Sequence, residues 1–152
     1  MDKQTLFSYL EENAAVFTRL SDDIWDHPEL SLREYGAMER YCAVLKGLGF
    51  TVETGIAGVP TAFSGTFGSG KPVIGILGEY DALDSLSQVA GALERKACVP
   101  GGAGHGCGHN LLGAGALAAA AAVKHALEQL PDGSGTVVFY GCPGEEGGAA
   151  KA

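Results

Sequence analysis

Cys107 and His109 stand two positions apart in the stretch GAGHGCGHN, residues 102–110, and thiolate and imidazole are donors that zinc prefers. The surrounding glycines let a backbone fold tightly around an ion. A zinc site needs about three ligands from protein even when it is catalytic, so further donors must come from elsewhere in the chain. The best supply is Glu145-Glu146 in GCPGEEGG, residues 141–148. A metallohydrolase needs one carboxylate to hold the metal and a second, unligated, to take a proton from water, and adjacent acids can divide those tasks. A third source is GEYDAL, residues 78–83, where Glu79 and Asp81 face the same way if the chain is extended. One could touch metal while the other orients a ligand. A capping or turn role accounts for Asp81 equally well.

Other chemistries fit these residues less well. A dinucleotide fingerprint needs glycines at the first, third and sixth positions, and counting from Gly102, Gly104 or Gly106 the last falls on Cys107, His109 or Leu111. The stretch from Gly65 to Lys71 begins like a phosphate-binding loop, but Pro72 occupies the place of the magnesium-binding hydroxyl. Two alternatives stay open on residue types alone. One is a non-catalytic module in which Cys107, His109 and His105 hold structural zinc; the other is a cysteine hydrolase with Cys107 as nucleophile and His109 as base. His125 and Cys42 read as packing residues, and HPEL at 27–30 can be no more than a helix terminus.

The elements that must position these side chains follow from periodicity. Leu6, Leu10, Ala14, Phe17 and Ile24 keep helical spacing and predict one amphipathic helix from about Lys3 to Trp25, closed by Pro28. Ser31-Leu32-Arg33-Glu34 has the form of a capping box for a second helix that Gly49 ends. Strands are expected at Phe50 to Glu53, Thr61 to Phe67 and Pro72 to Tyr80, with Gly68-Ser69-Gly70 as the turn between the last two. PVIGILGEY reads as a central strand. Asn110 is expected to cap an alanine-rich helix reaching about Leu130, after which Thr136 to Tyr140 forms another strand. Helices alternating with apolar strands imply an α/β fold, a helix-flanked mixed sheet that is at least partly parallel. In such sheets ligands bind beyond the carboxyl ends of the strands, where both the 102–110 loop and the paired acids fall.

The chain has 152 residues, room for one domain with a core or part of one, and a formal charge of −8 that makes nucleic acid an unfavourable partner. The longest apolar run, Leu111 to Val123, is shorter than the roughly 20 residues of a membrane span, so no membrane partner is expected. The charged start lacks a secretory layout, which predicts a cytoplasmic protein with reduced thiols.

Taken in order, HPELS at 27–31, GEYDAL at 78–83, GHGCGHN at 104–110 and GCPGEEGG at 141–148 resemble one known set. It is that of the amidohydrolase branch of the aminoacylase and carboxypeptidase G-type zinc metallopeptidases, within it the p-aminobenzoyl-glutamate hydrolase type. The resemblance implies Cys107, His109 and Glu146 as metal ligands, Glu145 as general base and Asp81 as the acid supporting the metal site. Glu79 stands where peptidase relatives have a histidine ligand, and His105 matches no ligand position. The implied cofactor is zinc, as one or two divalent ions, with manganese or cobalt as alternatives. The implied substrate is a small amide such as an N-acyl or aroyl amino acid, and the implied assembly of the full-length protein is a homo- or hetero-oligomer. On this pattern residues 1–152 are the N-terminal part of a catalytic domain whose dimerisation domain and later histidines follow. The 152-residue piece by itself is then expected to bind metal weakly, lack hydrolase activity and expose apolar surface.

Overall fold

The computed structural model describes residues 2–148. Its elements in chain order are α1 (Lys3–Glu12), α2 (Ala14–Asp26), α3 (Tyr35–Gly47), β1 (Thr51–Thr54), a short 3-10 turn (Ile56–Gly58), β2 (Phe63–Gly70), β3 (Val73–Glu79), α4 (His109–Leu127) and β4 (Ser134–Cys142). The strands form one mixed sheet in the order β1-β2-β4-β3. β1 with β2 and β2 with β4 are antiparallel, whereas β3 and β4 are parallel and joined through α4. The expected α/β class with a partly parallel sheet is therefore the one observed.

Several local expectations are corrected. The first helix is two, because Asn13 turns its side-chain amide onto the Tyr9 carbonyl (2.8 Å) and interrupts the ladder between α1 and α2. The segment Gly68 to Gly70 is not a turn but the end of β2, paired with Thr136, Gly135 and Ser134 of β4. The chain reverses instead at Lys71-Pro72, whose peptide bond is cis. Among the described residues β3 lies at the end of the sheet rather than inside it: the crossover through α4 places β4 between β2 and β3, and Val73, Ile74 and Leu77 lie exposed there. Asn110 does not cap α4, which starts at His109 after Gly108 in the left-handed region (φ 83°). The Asn110 amide reaches across to the Ser21 hydroxyl at 3.0 Å.

The core is built where α2, α3 and α4 meet the sheet. Tyr41 of α3, Phe63, Tyr80 and Phe139 form an aromatic cluster with ring centroids 5.5–6.0 Å apart, and the Tyr80 hydroxyl donates to the Thr61 carbonyl at 2.7 Å. Leu117, Ala120 and Ala121 bury one side of α4 against this cluster. That helix is long and apolar enough by length and composition to cross a membrane, yet it packs on β3, β4, α1 and α2. Its approach to β3 depends on Gly113, where a Cβ would lie 2.2 Å from the Tyr41 hydroxyl and 2.3 Å from the Glu79 carbonyl oxygen. His109, one turn earlier, is thereby held close to the end of β3. Cys42 is core and His125 stacks on Tyr9 at 4.3 Å, as expected of both.

Candidate metal centre

Three segments converge at the carboxyl ends of β3 and β4 and the amino end of α4. β3 delivers Glu79 and, two residues on, Asp81; α4 opens with His109; the turn after β4 carries Glu145 and Glu146. The long connection from residue 84 to 108 folds back on itself rather than hanging free. Leu83 and Gly104 exchange backbone hydrogen bonds of 3.0 and 2.9 Å, and Ser87 N–H donates to the Gly102 carbonyl. Gly104 permits this closure, since a Cβ there would sit 2.1 Å from the Leu86 carbonyl oxygen.

His109 is the hub, with only 2% of its surface exposed. Its Nδ1 lies 2.9 Å from Asp81 Oδ1. A carboxylate can only accept at that contact, so Nδ1 donates to Asp81 and Nε2 is the ring nitrogen turned toward the remaining donors. Around Nε2 stand Glu79 Oε2 at 3.1 Å, Glu145 Oε2 at 3.6 Å and Glu146 Oε1 at 3.9 Å. Donor atoms of Cys107, His109 and Glu146 fall within 4.8 Å of one another, as do those of Glu79, His109 and Glu145. Two three-residue groups thus share one imidazole.

Asp81 organises this arrangement from behind. While Oδ1 takes the imidazole N–H, its Oδ2 accepts from the Ser31 hydroxyl at 2.8 Å and from the Glu146 backbone N–H at 2.9 Å. It is 1% exposed, and its role is neither a helix cap nor a simple turn. A buried carboxylate fixing the far nitrogen of a ligand histidine sets the tautomer and raises the basicity of the near one.

The donor set fits a divalent cation. A thiol, an imidazole and several carboxylates crowd into a space where like charges repel, and an ion of charge +2 would offset that repulsion. The Cys107 thiol registers the same field: its hydrogen bond to Glu146, a small burial penalty and the nearby Glu146, Glu145 and Glu79 charges push its pKa up. His105 belongs to neither donor group among the described residues. Its Nε2 contacts the Ile24 carbonyl at 3.2 Å, its Nδ1 is buried without a partner, and burial pushes its pKa down.

Residue typing missed three supporting groups. Ser31-Leu32-Arg33-Glu34 is not a capping box; Glu29 caps α3 instead, accepting from the N–H groups of Gly36 (3.0 Å) and Ala37 (2.8 Å). Ser31 serves Asp81, and Glu34 turns inward to accept from Leu32 N–H and Gly144 N–H, both at 2.8 Å. His27 ends α2 with its ring on the Asp23 carbonyl. The signal in the sequence is Glu29, Ser31 and Glu34 gathered in and just after HPEL, and a local cap explains them as well as distant partners do.

The mixed sheet and the shared-histidine arrangement make this an α/β protein with a candidate metal centre, and comparisons with known proteins give its family. Residues 75–152 match peptidase family M20/M25/M40, and the chain belongs to that family. It is 53% identical over 142 residues to one of the subunits of p-aminobenzoyl-glutamate hydrolase from Escherichia coli (strain K12), covering 93% of this chain and 29% of that one. Among solved structures it is similar to a dinuclear metal binding peptidase of the M20 family from Bacillus subtilis, at 26% identity and a TM-score of 0.68, over 88% of this chain and 37% of that one. A protein described as an aminohydrolase, from methicillin-resistant Staphylococcus aureus, is likewise similar at 26% identity and a TM-score of 0.73, over 93% and 35% of the two chains. The chain therefore spans about a third of the length of these relatives.

Proposed function

We propose that the complete protein hydrolyses an amide bond with a divalent metal held by Cys107, His109 and Glu146, and that residues 1–152 form the N-terminal part of its catalytic domain. The observation that carries this reading is the His109 imidazole, locked by Asp81 on one nitrogen and shared on the other by two groups of metal-type donors. A bound cation of this kind supplies Lewis acidity and makes water acidic enough to ionise near neutral pH. Glu145, whose Oε2 is 3.6 Å from His109 Nε2, takes the proton from the attacking water and returns it to the leaving amine. Glu79 completes the second donor group, and Asp81 keeps His109 in its ligating tautomer.

Thiolate and imidazole favour zinc, with cobalt or manganese as substitutes. N-acyl or aroyl amino acids are the substrate class we assign, supported by the likeness to a p-aminobenzoyl-glutamate hydrolase. That relative is one subunit of its enzyme, which supports a hetero-oligomeric assembly for the complete protein. The decisive test is Glu145→Ala in that complete protein. Turnover should fall by about 10²-fold or more while metal content by elemental analysis is unchanged. Unchanged turnover at unchanged metal content would refute the assignment.

A further inference from the structure

We propose that Glu34 is a positioning residue for the Gly144–Glu146 turn, acting on Glu145 and Glu146 through the backbone from outside the donor cluster. The proposal rests on the roles assigned above to those two acids. Glu34 is completely buried, and its Oε1 accepts simultaneously from Leu32 N–H and Gly144 N–H at 2.8 Å each. The second bond joins residues 110 apart in sequence and lands immediately before Glu145. On the other side of Glu145, the Glu146 N–H donates to Asp81 Oδ2 at 2.9 Å. The general base is thus carried on a two-residue span whose backbone is pinned at both ends by buried carboxylates from different segments.

The local backbone makes this pin specific. Gly144 is in the left-handed region (φ 67°), and a Cβ there would meet Leu32 Cδ2 at 2.8 Å. Leu32 is itself left-handed (φ 62°), a conformation that a non-glycine residue adopts at a cost, and its N–H is one of the two that Glu34 holds. A Cβ at Gly147 would likewise meet Ser31 Cβ at 2.7 Å, so the 31–34 turn and the 144–147 turn are in close contact. The remaining Glu34 oxygen, Oε2, is buried without a hydrogen bond; Thr61 faces the carboxyl and favours its charged form but falls short of hydrogen-bond geometry. A fully buried carboxyl with one unsatisfied oxygen is an expensive way to close a turn. Its use here is explained by the single oxygen that ties two distant amides together.

Hydrogen–deuterium exchange and cobalt titration of the complete protein, unmodified and as Glu34→Gln and Glu34→Asp, test the proposal. In the unmodified chain the Gly144 amide, outside any helix or strand, should exchange as slowly as the β4 amides; exchange at the rate of an exposed loop overturns the idea. Gln keeps an oxygen at the Oε1 position, so its exchange in residues 143–147 and its cobalt affinity should stay within about twofold of the parent. Asp is one methylene too short, and both exchange in 143–147 and the cobalt Kd should rise about tenfold, with α3 exchange unchanged and a shifted visible cobalt spectrum. Parent-like behaviour of Glu34→Asp, an equal loss in Glu34→Gln, or exchange that rises in all segments together would each overturn it. If the unmodified complete protein takes up no cobalt, the metal assignment fails, while the exchange pattern alone still decides whether Glu34 pins the turn.

Discussion

The 102–110 loop and the 29–34 turn both serve the candidate metal centre, but they do so in opposite ways. The loop offers candidate donors directly: Cys107 and His109 are chemically conspicuous and close together in sequence. The turn contributes no donor at all. Glu29 fixes the start of α3, Ser31 holds Asp81, and Glu34 holds Gly144, at sequence separations of 8, 50 and 110 residues. Ligands advertise themselves by residue type; their supports are defined by reach.

The sharpest test of that contrast is His109→Ala, because this one side chain belongs to both donor groups. Isothermal titration with zinc or cobalt should show affinity reduced by more than about a hundredfold, beyond the usual effect of removing an outer partner. A loss no larger than that from changing Asp81 would mean that His109 is not the hub. The next effect in size is Asp81→Asn. Asparagine can present its NH₂ to Nδ1 and favour the wrong tautomer, so metal affinity should fall about 10- to 100-fold without loss of any direct donor. Unaltered affinity there would show that the buried bond to His109 merely packs the loop.

How much of this was readable from sequence follows the same divide. The α/β class was legible because each element carries its own periodicity, and the alternation of Glu79 and Asp81 correctly placed both on one side of an extended segment, where both reach His109. Strand order was not legible. The apolar run Val73 to Leu77 has the composition of a central strand, yet the insertion of β4 between it and β2 is made by the crossover through α4, a long-range choice. Asn110 shows the limit locally: its residue type suits a helix cap, but Gly108 provides the turn and Ser21, 89 residues away, claims the amide. Similarly, nothing in Ser31-Leu32-Arg33-Glu34 says that the glutamate will turn inward, because its partner Gly144 is supplied by a strand end that has yet to be built.

The smallest predicted effect is a pH dependence that belongs to the supporting turn rather than to the donors. Burial pushes the pKa of Glu34 above its ordinary value of 4.5, and the backbone N–H bonds it accepts, together with Thr61, only partly offset this. The folded chain therefore holds the Glu34 proton more tightly than the unfolded chain does. Between the ordinary value and the raised one the folded state binds more protons, so stability declines as pH rises through that window and stays reduced above it. Glutamine imitates the neutral carboxyl and removes this term while leaving every other titrating group in place. The difference in Tm between Glu34→Gln and the parent should accordingly shift in favour of the variant as pH rises from about 4 to about 7, by a few degrees at most. Parallel melting curves across that range would show that Glu34 does not titrate as a buried group, and would remove the energetic reason for regarding its carboxyl as something retained for the turn it holds.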